Sequence, residues 1–319
     1  MARRIFMGPD GKSSVYVVKT TDRAAGVKRL LEEYPLGGLA GLKVALKANY
    51  NSADPFPAST HPGTLAAIVD NLYENKVARV VMAERSGMGV TADVLRTMGI
   101  TDLARMKGFD VVVLDDLDDI CHWDRRGQTE GFHWKHGFLF PRPFEEADAI
   151  VTTCCLKTHR FGGHFTLSLK NSVGMVARYD PETSHDYMRE LHFSLRHQRH
   201  MIAEINTAYA PAFVVMDAVR GFSHGGPEKG TLIEPGLMLA SNDRVALDAC
   251  GVAILRNYGT TSEVAHGDIF GLGQIARAGE LGLGATGPDQ IEVIALNDGA
   301  RDSCRHIERQ LQGTVVTQH

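Results

Sequence analysis

Two lysines, two histidines and an amide fall between Lys157 and Asn171: Lys157 and His159 flank Thr158, His164 follows Gly162 and Gly163, and Lys170 and Asn171 close the stretch. A lysine offers a compact positive charge to a carboxylate or phosphate. A histidine titrates near neutrality and can act as general base or acid. The group therefore reads as an anion-binding, proton-handling cluster. His159 and His164 also allow a second reading, as a pair of metal ligands, although five residues across two glycines match no standard metal spacing. The bland alternative is surface lysines and histidines at helix ends. Position weighs against it, because Lys157 directly follows the apolar run Ala147–Leu156, and ligands of open α/β sheets sit at the carboxyl ends of strands.

A second candidate runs from Asp217 to Gly230. Asp217 and Arg220 follow the apolar run Ala212–Met216, and a glycine-rich turn then carries His224, Glu228 and Lys229. Glycines permit close backbone approach and anion-binding nests. Neither a P-loop nor a dinucleotide fingerprint occurs there, and an ordinary long turn would use the same residues. A third candidate is Lys47-Ala48-Asn49, which places a charge beside a side chain that both donates and accepts. Ser59 and Thr60, just before Pro62, read as caps of the following helix. His185, Arg189, His192, Arg196 and Arg199 recur at helical spacing, either as a solvated face or as added anion affinity. His133 and His136 flank Trp134 and Lys135; with Cys121 or His122 they would make a metal site, and otherwise a packed lid.

The elements that must position these groups follow from hydrophobic periodicity. Strands are expected at Ser14–Lys19, Leu42–Ala48, Val77–Ala83, Phe109–Leu114, Ala147–Leu156, Ala212–Met216, Leu237–Ala240 and Ile291–Leu296. Helices are expected at Asp22–Tyr34, Thr64–Asn75, Ala92–Met98, Asp243–Arg256 and Ile269–Ala278, with a short one in Phe165–Val176 and one long helix over His185–Ala208. This alternation argues for an α/β fold with a mostly parallel, doubly wound (Rossmann-like) sheet. The region Asp115–Arg142 breaks the rhythm with an acidic run and both tryptophans, and reads as an irregular His/Trp-rich excursion, a hairpin or a lid. The expected organisation is one unit over 1–319, with sub-structure at 1–145 and 146–319.

The chain has 319 residues, 44% hydrophobic and 23% charged, so it can bury a large core and is not disordered or fibrous. Its net charge of −4 disfavours a globally basic nucleic-acid binder. Five cysteines, odd in number and without a CxxC pair, disfavour a disulfide framework, a zinc ribbon and a ferredoxin-type cluster. Cys154 and Cys155 are a redox pair, a soft metal site or buried strand thiols. The start Met1–Pro9 lacks an apolar signal core, and no apolar run is long enough to span a bilayer. A cytoplasmic protein, partnered by neither membrane nor nucleic acid and forming a homodimer, is the expectation.

Val44–Asn49, Lys157-Thr158-His159, Thr166–Gly174, Met216–Asp217, His224–Gly230 and Ala240–Asp248 together resemble the uncharacterised family called domain of unknown function 362, over roughly Gly41 to Gly259. The resemblance implies an α/β fold and little about the reaction. Many members of that family carry an added ferredoxin-like segment and are described as iron–sulfur proteins; this chain lacks those cysteines, so no cluster of its own is expected. Where the family has Lys-Pro-Asn, this chain has Lys47-Ala48-Asn49.

The expectation that follows is an enzyme acting on a small anionic substrate, a carboxylate or phosphate. His159, Lys157, Asp217 and His224 would carry the chemistry, and Lys47, Asn49, Lys170, Asn171 and Arg220 would bind the substrate. A divalent metal, with iron favoured over zinc or nickel, would sit at His159 and His164. A metal-dependent oxidoreductase, a lyase and an isomerase all fit. The alternative is a non-catalytic anion sensor or an accessory protein of an iron–sulfur redox system.

Overall fold

Along each strand the apolar side chains alternate between two faces. Val15 and Val17 enter one core cluster while Tyr16 and Val18 enter another, and Val44 and Leu46 oppose Ala45 in the same way. This period of two is the signature of strands covered on both sides. The computed structural model describes residues 11–114, 123–126 and 129–313. The readings placed on Met1–Pro9, on the acidic run Asp115–Asp119, on Cys121 and His122, and on the tail after Gly313 lie outside the described residues.

The strands are β1 (Ser13–Lys19), β2 (Lys43–Lys47), β3 (Arg79–Glu84), β4 (Asp110–Val113), β5 (Trp123–Arg126), β6 (Phe138–Pro141), β7 (Ala149–His159), β8 (His164–Thr166), β9 (Phe213–Gly225), β10 (Gly230–Ile233), β11 (Leu237–Ser241) and β12 (Ile291–Ala295). Eight of them form a continuous sheet in the order β12-β1-β11-β9-β7-β2-β3-β4, with β10 and β8 appended to β9 and β7. The β7, β2, β3 and β4 neighbours are all parallel, as are β7 with β9 and β1 with β12; β11 runs antiparallel to both β1 and β9. The mostly parallel α/β sheet expected from the alternation is therefore present. β5 and β6 pair antiparallel in a separate ribbon, so the excursion contains a hairpin.

The helices are α1 (Arg23–Leu31), α2 (Pro62–Glu74), α3 (Thr91–Thr97), α4 (Ile100–Lys107), α5 (Arg142–Glu145), α6 (Ser168–Asn171), α7 (Tyr187–Phe193), α8 (Gln198–Ile205), α9 (Arg244–Asn257), α10 (Ser262–Ala265), α11 (Gly273–Glu280) and α12 (Arg301–Leu311). α1 to α4 bury Leu30, Ile68, Leu95 and Ile100 against Val44, Leu46, Val80 and Met82 on one face. On the other face α9, α11 and α12 cover β1 and β11, while α7 and α8 pack with Phe138, Phe140 and Phe144. Asp243 fixes the start of α9. Its carboxylate accepts from Val245 N (2.8 Å), Ala246 N (3.0 Å), Ser13 Oγ (2.6 Å) and Ala285 N (2.8 Å). Among the described residues no helix is long and apolar enough to cross a membrane.

Three expectations require correction. The single helix over His185–Ala208 is two, α7 and α8, because the chain turns at Ser194, whose carbonyl accepts from both His197 N and Gln198 N. The His/Arg stripe is therefore not one face. Phe165–Val176 is not one short helix: it begins within β8, and α6 and a 3-10 turn follow. Ser59 and Thr60 do not cap α2. His61 does, its Nδ1 accepting from Gly63 N at 3.0 Å, while Thr60 Oγ1 accepts from Asn49 N at 2.9 Å. Of the three readings offered for Cys154 and Cys155, the buried strand thiols are the one found: both are free and buried in β7, and burial raises both pKa values, Cys155 to about 11.

Candidate functional site

Parallel neighbours put the carboxyl ends of β2, β3 and β7 along one edge of the sheet. Lys47 ends β2 and Glu84 ends β3, and the register Leu46↔Met82 brings those ends side by side. β7 continues past its contact with β2 and turns back through β8, pairing Lys157 with Thr166 and His159 with His164. α6 follows at once and carries Lys170 and Asn171. A cleft of about 600 Å³ opens here, and Lys47, Asn49, Lys157, His159, Lys170 and Asn171 all line it.

The six groups are not equivalent. Lys47 Nζ is bound to Glu84 Oε1 at 2.6 Å and to Ala48 O at 2.5 Å, with both residues of the ion pair almost fully buried. Burial pushes Lys47 down and Glu84 up, and their contact opposes both shifts. Asn171 braces the site: its Nδ2 donates to Thr153 O at 3.0 Å, and its Oδ1 is 3.5 Å from Lys47 Nζ. Lys157 is fully buried and donates to Ala58 O, which Asn49 Nδ2 also approaches at 3.4 Å. Burial lowers the Lys157 pKa.

Lys170 differs from the other lysines. It is 7% exposed, and among the described residues its ammonium has no hydrogen bond and no ion pair. Burial, then the Lys157 charge, lower its pKa to about 8. His159 is 8% exposed, and its Nδ1 accepts from Phe161 N at 3.3 Å. Burial foremost, and then Lys170 and Lys157, hold its pKa well below the usual histidine value, so the ring is neutral. Gly163 lets the two groups close on one spot: a Cβ there would stand 2.9 Å from Lys170 Cε and 3.1 Å from His159 Nδ1. Among the lining side chains, Lys47, Arg85, Lys157, Lys170, Arg178 and Arg189 outnumber the acids Glu84 and Asp186. The cleft is thus arranged to hold an anion.

Gly174 has a similar part at the Lys47–Glu84 pair. A methyl group there would stand 2.9 Å from Lys47 Nζ and 3.1 Å from Glu84 Oε1. Gly174→Ala is expected to cost roughly 1–3 kcal/mol by overpacking. Thermal unfolding checks this, and a melting temperature at or above the wild-type value would contradict it.

Four expected site residues stand elsewhere. Between Cys155 and Leu156 the β7–β9 register slips from Asp217 to Gly221, and the extra residues form a bulge. Asp217 is held there by Arg23 Nε at 2.7 Å and Thr64 Oγ1 at 2.6 Å, beneath α1 and α2. Arg220 lies over the Phe56 ring, 5.8 Å from its centroid. His224 is exposed beside Ser223 Oγ, 3.1 Å from its Nδ1. His164 adopts φ 63° and lies outside the cleft lining, so His159 and His164 are register partners that no third donor joins among the described residues. The grouping of three candidate metal ligands there is His133, His197 and His200. His136 stands apart from it, packed edge-on against His185.

The sequence directs attention to Glu84–Gly89 as residues that follow a strand, but it gives no role to Glu84, Arg85 or Asp248. Arg85 donates to Val176 O at 2.7 Å and Val173 O at 2.9 Å, tying the segment after α6 to the cleft. Asp248, whose pKa burial raises to about 7, accepts from Ser168 Oγ at 2.5 Å and from Ser168 N and Leu169 N at 2.8 and 3.0 Å. It anchors the start of α6 and so positions Lys170. The signal for Glu84 and Arg85 was a pair of charges ending an apolar strand.

Residues 44–253 match the family model described as Domain of unknown function (DUF362). No curated protein matches the chain. Among solved structures, the lactate racemase apoprotein from Thermoanaerobacterium thermosaccharolyticum is similar at 17% identity and a TM-score of 0.47, over 78% of this chain and 59% of that one.

Proposed function

The chain belongs to the family described as domain of unknown function DUF362, and from that premise we propose that its cleft binds a small carboxylate or phosphate and moves a proton on it. The observation that carries this reading is Lys170, a nearly buried lysine whose ammonium has no counter-ion among the described residues, at the wall of a net-cationic cleft. Burying an unpaired charge is costly, and an anionic ligand removes that cost. With a pKa of about 8, Lys170 both holds a positive charge at neutral pH and gives up its proton readily. Lys157 adds the second positive charge of the clamp.

His159 then has a role other than general base. With Nδ1 accepting from Phe161 N and the ring neutral, the ring proton is on Nε2. A neutral N–H donor can polarise a substrate oxygen without competing for its proton. Reactions of this kind include isomerisation and elimination next to a carboxylate.

A panel of small carboxylates and phosphate monoesters, screened by thermal shift, tests the binding half. Ligands that bind are then incubated in D2O and checked by NMR for exchange of carbon-bound hydrogen. His159→Ala is expected to weaken binding by roughly 10- to 100-fold, the value of a hydrogen bond to a charged group. His159→Gln, which still offers an N–H, should recover most of it. If no anion in the panel raises the melting temperature, the reading fails.

A further inference from the structure

Away from the cleft, His133 precedes β6, while His197 and His200 occupy the N-cap and first turn of α8. The His133 ring stacks on His197 with centroids 4.4 Å apart and lies 5.0 Å from His200. One candidate ligand atom from each residue lies within 4.8 Å of the others. Nδ1 of His197 and Nδ1 of His200 are buried without a hydrogen-bond partner among the described residues. A buried ring nitrogen left unpaired is costly and calls for an explanation.

The third ring is already oriented. Glu204 is fully buried and paired with Arg277, whose Nη2 is 3.0 Å from Oε1. Its carboxylate accepts from the His133 backbone N–H at 2.9 Å and meets His133 Nδ1 at 2.6 Å. An ionised carboxylate only accepts. His133 Nδ1 therefore carries the proton, and in the neutral ring Nε2 is the nitrogen left to bind a metal. A carboxylate behind an imidazole is the arrangement that fixes the tautomer and direction of metal-ligating histidines.

We propose that His133, His197 and His200 form a binding site for a divalent transition metal of zinc's class, with Glu204 as the positioning residue behind His133. Three imidazoles suit zinc and leave one coordination position open. Tetrahedral binding brings the ligand nitrogens to roughly 3.4 Å from one another, so the rings close by about an ångström. The ion would join the loop before β6 to α8, beside the hydrogen bond from Trp134 Nε1 to Met201 O at 3.1 Å. It thereby ties the His/Trp-rich excursion to the body of the protein. This inference is independent of the anion cleft.

The test uses full-length protein without a histidine tag, stripped with a chelator and titrated with zinc chloride by calorimetry. One equivalent should bind. His197→Ala combined with His200→Ala should weaken that event at least 100-fold, and Glu204→Gln by about 10- to 100-fold, as expected for a carboxylate behind a ligand. Equal zinc affinity in the double variant, or no stoichiometric binding to the wild type, would overturn the site. If the double variant does not melt cooperatively, cobalt(II) bound to the wild type decides. Intense visible bands of four-coordinate cobalt, displaced by one equivalent of zinc, support the site, and a weak six-coordinate spectrum rejects it.

Discussion

Lys170→Met is expected to give a protein that is more stable at pH 7 than the wild type and that no longer binds anions. The fold leaves Lys170 7% exposed, without a hydrogen-bond or ion-pair partner among the described residues, and its pKa falls to about 8 from the ordinary 10.5. At 1.36 kcal/mol per pKa unit this corresponds to a destabilisation of roughly 3 kcal/mol. Methionine has a similar shape and no charge, so stability at pH 7 should rise by about 1–3 kcal/mol. The pH dependence follows from linkage. Between about pH 8 and pH 10.5 the unfolded chain binds more protons at this site than the folded one, so the wild type gains stability as pH rises through that window. The methionine variant lacks this gain, and its advantage should shrink to nothing by pH 10.5. Anion binding moves the other way. Wild-type affinity should fall as pH rises past 8, while the variant should bind at least ~30-fold more weakly at neutral pH, as expected when one member of a buried charge pair is removed. Denaturation curves and ligand titrations across this range test both halves. A variant less stable than the wild type at pH 7, or one that binds with unchanged affinity, would remove Lys170 from the centre of the site.

The Lys157–Asn171 cluster was legible because it is local: a strand, a tight return and one turn of helix carry all its members. The strand order β7-β2-β3 then brings Lys47 and Asn49 to the same edge, which the βαβ alternation implied without specifying neighbours. What the sequence hid was long-range pairing. Glu84 meets Lys47 only because β2 and β3 are adjacent in register, and nothing within either strand announces it. Asp217 shows the converse error. Its place just after an apolar run pointed to the site, but the β9 bulge and Arg23 turn it toward the opposite layer. His197 and His200 were absorbed into the apparent single helix over His185–Ala208. The periodicity continues through Ser194, but Leu195 is 74% exposed where the chain turns, and the turn gives these histidines a different neighbour.

Glu84→Gln tests which of the cleft's lysines belongs to the protein and which to its ligand. The substitution removes the charge and keeps one acceptor oxygen, enough for Arg85 N at 3.0 Å and Lys47 Nζ, while the longer 3.3 Å contact from Tyr50 N to the second oxygen is given up. Lys47, 2% exposed, then loses its counter-ion. Breaking one member of a buried pair typically costs about 3–5 kcal/mol, whereas replacing both members is often nearly neutral. Lys47→Met alone should also destabilise, since it leaves the Glu84 carboxylate buried and unpaired. The double variant Lys47→Met with Glu84→Gln should recover much of the loss, and the shortfall from additivity in a chemical-denaturation cycle measures the coupling. Losses that simply add would mean that the charge pair does not hold this wall. Binding supplies the second readout. Lys47 spends its charge on Glu84, so anion affinity in the double variant should fall far less than in Lys170→Met. If the two variants lost affinity equally, the ligand would draw on Lys47 as much as on Lys170, and the distinction between a structural and a ligand-facing lysine would collapse.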